Sequence, residues 1–151
     1  KVQAADVASK TDGAQRPNGI ALTPNGGTLA VSDYGGRHTW VWRIAKDGSL
    51  GLRQSYITLR TPSPDLPSKG DGMTTDAVGR YYVTSAVGLQ MFDPTGRMGG
   101  VIAAPTNKPI VSVAFAGAGH QYLYVAAGDE IFRRKTKASG VEAVRPKRKA
   151  K

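Results

Sequence analysis

Two short pairs place the side chains most able to do chemistry: Asn18-Gly19 and Asp71-Gly72. Each sets an oxygen donor, a carboxamide in one and a carboxylate in the other, before a glycine and a short strand-like run. Ile20-Ala21-Leu22 follows the first pair and Met73-Thr74-Thr75 the second. As residue types these are hard donors that suit calcium, and zinc or manganese also accept them. Either pair alone is an ordinary turn former, and that reading stays open for each. Their recurrence at the same point of a repeated unit is what singles them out.

The unit that must position them is a cluster of short strands. Residues 17–42 run from Pro17-Asn18-Gly19 through Ile20-Ala21-Leu22, a turn at Pro24-Asn25-Gly26-Gly27, then Leu29-Ala30-Val31-Ser32-Asp33 and Trp40-Val41-Trp42. Residues 70–92 repeat the plan with Gly70-Asp71-Gly72-Met73, a turn ending at Gly79, Tyr81-Tyr82-Val83-Thr84-Ser85 and Leu89-Gln90-Met91-Phe92. A weaker copy follows in Ser112-Val113-Ala114-Phe115, Tyr122-Leu123-Tyr124-Val125 and Ile131-Phe132. Three or four short strands recurring every ~40–50 residues mark the blades of a β-propeller. The fold expected is all-β, a β-propeller of about three blades.

Blades are expected over about 17–60, 69–104 and 109–144, together making one propeller region over 1–144. Within them, strands are expected at about 19–23, 28–33, 38–44 and 52–59, at 72–76, 80–85, 88–93 and 98–103, and at 111–116, 121–126, 129–136 and 141–144. Lys1 to Val7 reads as an outer strand. Residues 60–69, with Pro62, Pro64 and Pro67, read as a crossing loop.

The net charge of +10 resembles a nucleic-acid signal until it is located. Residues 133–151 hold nine Lys and Arg against one acidic residue, so the fold itself is nearly neutral. Arg133, Lys135 and Lys137 decorate a last strand, and Arg145 to Lys151 is expected to be a solvated basic tail. General attraction to anionic surfaces is the alternative use of that tail, but no recognition helix or aromatic platform accompanies it, so no specific nucleic-acid partner is expected. No apolar run reaches the ~18 residues that a membrane span needs. Zero Cys excludes disulfides, thiolate metal sites and a Cys nucleophile. The missing initial Met and the missing Cys favour an exported protein, periplasmic or secreted, over a cytoplasmic one.

The order and spacing of these motifs resemble the C-terminal half of the gluconolactonase, regucalcin and senescence-marker-protein family. Arg16-Pro17-Asn18-Gly19-Ile20-Ala21-Leu22-Thr23-Pro24, Val31-Ser32-Asp33, Asp71-Gly72-Met73, Phe92-Asp93-Pro94 with Gly96, and Val113-Ala114-Phe115 with Leu123-Tyr124-Val125 carry the likeness. It runs from about Arg16 to Gly140. The resemblance implies half of a six-bladed propeller with a divalent metal in its channel, calcium first and zinc or manganese next. It also implies hydrolysis of sugar lactones or related esters. It assigns Asn18 and Asp71 as metal ligands, with Asp71 or its bound water supplying the nucleophile or its base. Gly19 and Gly72 would leave room beside them.

Ser112 occupies the corresponding point of the third blade and is expected to line the substrate pocket. The family's third metal ligand is a Glu from an earlier blade, for which Glu130 and Glu142 are the available substitutes here. Three blades leave two open sheet edges, so completion by an N-terminal half or by a second copy of the chain is expected. The alternative to a hydrolase is a non-catalytic propeller module that binds a partner or ligand. Of the remaining polar and aromatic residues, His38 and His120 are expected at the surface, Trp40 and Trp42 between blades, and Asp33 on backbone donors at a strand end.

Overall fold

The computed structural model describes residues 15–142, so the expected outer strand at Lys1 to Val7 and the basic tail lie outside the described residues. Among the described residues eleven strands form three antiparallel sheets. The first holds β1 (Pro17–Leu22), β2 (Thr28–Asp33), β3 (His38–Arg43) and β4 (Gln54–Thr58). The second holds β5 (Met73–Thr75), β6 (Tyr81–Ser85), β7 (Gly88–Phe92) and β8 (Met98–Ile102). The third holds β9 (Ile110–Ala116), β10 (Tyr122–Ala127) and β11 (Glu130–Lys135). Each sheet is a plain meander, in the order expected of successive propeller blades.

Strand alternation sets how the sheets stack. In β6 every residue is buried, because neighbours along a strand point to opposite faces and both faces are covered. Tyr81 and Val83 join Met73 and Phe92 against Ala30, Val41, Ile57 and Leu59 of the first sheet. Tyr82, one residue on, turns the other way and packs with Leu89 against Ile110, Val113, Leu123 and Ala127 of the third. Phe92, Ile57, Leu59 and Leu89 are fully buried, each stabilising the stack by about 1.5–3 kcal/mol.

The chain between the first two sheets is anchored by buried polar groups. The Gln90 carboxamide accepts the Arg60 N–H at 2.9 Å and donates to the Arg60 carbonyl, also at 2.9 Å, and to Ser85 Oγ at 2.8 Å. Ser68 Oγ donates to the Gly36 carbonyl at 2.8 Å. These bonds pin both ends of the proline-rich crossing segment, so Asp71 is delivered from a fixed starting point.

The third sheet departs from expectation. A fourth strand was expected over 141–144, but residues 141 and 142 are irregular, and 143 and 144 lie outside the described residues. The chain after β11 folds across the bottom of the stack instead. The Ala77 N–H donates to the Ser139 carbonyl at 2.8 Å, the Gly140 N–H to the His120 carbonyl at 2.9 Å, and Gly140 forms a single bridge with Asp76. A β-carbon on Gly140 would run into the Phe115 side chain, so only glycine lets this strap sit so close.

Candidate functional site

The innermost strands β1, β5 and β9 stand side by side, one from each sheet, and the candidate residues lie at their starts. Asn18 and Gly19 are inside β1, at an irregularity in its pairing with β2: Pro17 faces Asp33, and the next matched pair is Ile20 with Val31. Such a bulge re-aims a side chain away from the regular alternation. Asp71 precedes β5, held by its N–H donating to the Thr84 carbonyl at 3.0 Å.

Glycine makes the approach of these strands possible. A β-carbon on Gly19 would collide with the backbone of Asp71, Gly72 and Met73. One on Gly72 would come within 2.6 Å of Ser112 Cα and 2.7 Å of the Val111 carbonyl oxygen. The two glycines therefore bring Asn18 against Asp71, and Asp71-Gly72 against Ser112. A hydroxyl completes the first junction: Ser32 Oγ accepts the Gly19 N–H at 2.8 Å and donates to the Asp71 carbonyl at 2.5 Å. Thr84, at the same place in the second sheet, donates to the Gly72 carbonyl at 3.0 Å.

The side chains meet as well. The Asn18 side chain stands near enough to the Asp71 carboxylate to favour its charged form. Partial burial pushes the Asp71 carboxyl above its ordinary value, and the Gly72 N–H and the Asn18 side chain pull back against that effect. A half-buried carboxylate whose desolvation outweighs its hydrogen bonds is suited to a cation. With the carboxamide oxygen beside it, Asp71 supplies two hard donors of the six to eight that calcium takes. The residues present fit part of such a shell. Among the described residues no group of three His, Cys, Asp or Glu could hold a metal by itself.

Glu130 and Glu142 do not join Asn18 and Asp71. Glu130 begins β11, with its carboxylate 3.6 Å from Lys108 Nζ, and Glu142 lies in the strap beyond His120. Asp33 is fully buried and accepts the N–H groups of Gln15, Arg16, Gly35 and Gly36 at 2.8–3.2 Å, so it caps backbone at the end of β2. Trp42 is buried, whereas Trp40 stands edge-on to His38, carries the Arg53 guanidinium over its face and donates to Asp33. His120 takes a left-handed conformation at the strap, within 3.2 Å of the Val141 carbonyl.

Ser32 and Asp76 lie in motifs that carry the family likeness, but no role was read from the sequence for them or for Thr84. Asp76 is fully buried and accepts the Arg80 guanidinium at 2.6 Å, the Tyr82 hydroxyl at 3.0 Å and the N–H groups of Val78 and Arg80. It braces the foot of β5, at the far end from Asp71.

The family model for the SMP-30/Gluconolactonase/LRE-like region matches residues 2–129. The chain belongs to that family. A gluconolactonase of Zymomonas mobilis is 31% identical over 133 residues, 85% of this chain and 37% of its own length. A pentonolactonase of Haloferax volcanii is 32% identical over 120 residues, 75% of this chain and 39% of its own length. The chain thus spans less than half of these SMP-30/gluconolactonase relatives. A solved gluconolactonase from Xanthomonas campestris superposes with a TM-score of 0.65 at 26% identity, covering 78% of this chain and 36% of that one. The calcium-binding protein regucalcin from Agrobacterium tumefaciens, at 19% identity and a TM-score of 0.70, covers 83% of this chain and 47% of that one and shares the fold. The three sheets are a partial β-propeller of the SMP-30/gluconolactonase type.

Proposed function

We propose that this chain supplies part of the active site of a divalent-metal-dependent lactonase that opens sugar lactones or related esters. The observation that carries the proposal is the junction of Asn18 and Asp71, two oxygen donors from neighbouring blades locked together by Gly19 and Ser32. Lactonase relatives at 31% and 32% identity support the reaction class.

Asn18 and Asp71 would hold the cation, calcium first and zinc or manganese next. Once bound, the cation would polarise the lactone carbonyl and favour attack by water. Asp71 accepts the proton of the attacking water on a carboxylate oxygen, with the Asn18 side chain beside it favouring the charged form. Ser32 and Thr84 fix the backbone on either side of Asp71, so its placement does not depend on substrate. Ser112, exposed beside Gly72, offers a hydroxyl to the hydroxyls of the substrate.

We place the remaining metal ligand and further substrate contacts on blades outside this chain, in an N-terminal half or a second copy. The exposure of Ile20 at 63% on the innermost strand agrees with a surface that such blades would cover. The test is lactone hydrolysis, followed by proton release with sugar lactones in the presence of calcium, zinc or manganese. Turnover that Asp71→Ala abolishes and Ser112→Ala weakens supports the reading. A metal-loaded closed ring that opens no lactone or ester overturns it.

A further inference from the structure

The far ends of the same inner strands frame a second, unrelated cleft. It runs between the first and second sheets with a volume of about 480 Å³, lined in part by Thr28, Arg43, Leu52, Gln54, Tyr56 and Tyr81. A neighbouring hollow of about 320 Å³ shares Thr23, Thr28, Tyr81 and Pro94 with it. Thr23 follows β1 and lies five residues beyond Asn18, which at ~3.3 Å per residue puts the cleft about 16 Å from the Asn18–Asp71 junction.

Three features of the cleft point to a ligand. Tyr81 is 2% exposed and lines both hollows, yet its hydroxyl has no hydrogen-bond partner among the described residues. That hydroxyl is not sealed in the core but opens into the cleft, where a polar occupant can reach it. By contrast, the adjacent Tyr56 donates to the Pro94 carbonyl at 2.7 Å and stands edge-on to Tyr81, which fixes both rings as a rigid wall. Arg43 brings a cation to the rim and forms no ion pair among the described residues. Leu52, 90% exposed, adds an apolar edge beside the Gln54 carboxamide.

We propose that this cleft binds a small hydroxycarboxylate, its carboxylate on Arg43, its hydroxyls on Tyr81 and Gln54, and its carbon skeleton against Tyr56 and Leu52. A bidentate guanidinium selects a carboxylate, and a mixed apolar and hydroxyl lining of this volume suits a polyhydroxylated chain. The assignment does not rest on the lactonase reading, although the product of lactone opening has this chemistry and would link the two sites if both hold.

The test is calorimetric titration of the full chain with gluconate at millimolar concentration, with neutral sorbitol as control. The proposal predicts saturable gluconate binding and none by sorbitol. Arg43→Met should weaken it about tenfold or more and Tyr81→Phe about threefold, while Asp71→Asn leaves it unchanged. Arg43 is exposed, so its variant keeps the test valid if Tyr81→Phe disturbs folding, which thermal melts would reveal. Absence of gluconate binding, equal binding of sorbitol, an unaffected Arg43→Met, or loss in Asp71→Asn would each overturn the proposal. None of these outcomes depends on whether the chain hydrolyses a lactone.

Discussion

Ser32 Oγ donates to the Asp71 carbonyl at 2.5 Å while accepting the Gly19 N–H at 2.8 Å, so one buried hydroxyl joins the backbones that carry both candidate ligands. Removing it leaves a partly buried donor and a partly buried acceptor without their shared partner. Ser32→Ala is expected to destabilise the fold by about 1–3 kcal/mol in urea denaturation. It should also weaken divalent-cation binding, because Asp71 loses its anchor to the first blade. Ser32→Thr, which retains the hydroxyl, should recover part of both.

Gly19 and Gly72 set how closely three inner strands approach. Gly19→Ala drives a β-carbon into the Asp71–Met73 backbone, and Gly72→Ala drives one into Val111 and Ser112. In both cases the obstacle is main chain, which cannot rotate away. Each substitution should lower stability by about 1–3 kcal/mol, measured as a drop in the denaturation midpoint at unchanged slope. Gly26→Ala, with open space around its position, should show only the smaller effect of its left-handed turn.

Tyr82 gives the fold a signature at high pH. Burial, the charge of Asp76 and the hydrogen bond donated to it push the Tyr82 hydroxyl up to about 12. Its folded value therefore lies above its unfolded one, so the stability it contributes is fully present below about pH 10 and is lost as pH rises toward 12. Denaturation midpoints should fall across that window. In Tyr82→Phe the fall should be shallower, and an unchanged slope would remove Tyr82 as its source.

The blades were legible in the sequence because their strands alternate and their turns use residues that accept positive φ. Gly26 and Gly79 adopt it, each in an expected turn, and Gly48 and Gly96 adopt it as well. The likeness at Asn18-Gly19 and Asp71-Gly72 also marked a pair of residues that the fold brings into contact. The roles of Ser32 and Asp76 were not legible. A serine between Val31 and Asp33 looks like any strand position, and its importance arises from residues of another blade. The strap runs on irregularly through residues 141 and 142, although Val141 favours β structure locally. The single-atom side chain of Gly140 and its contacts with Phe115 and Asp76 decide its path instead. Glu130 and Glu142 were considered as metal ligands on charge alone, and the topology keeps them with Lys108 and the strap.

Metal binding tests the central claim most directly. The chain would be titrated with calcium and with zinc, retained ion being counted by native mass spectrometry, for the wild type, Asp71→Ala and Asn18→Ala. The account predicts one divalent ion per Asn18–Asp71 junction, lost in Asp71→Ala and weakened in Asn18→Ala, with both variants still folded by circular dichroism. An ion held equally well by Asp71→Ala, or no ion held by the wild type in a closed ring, would contradict it.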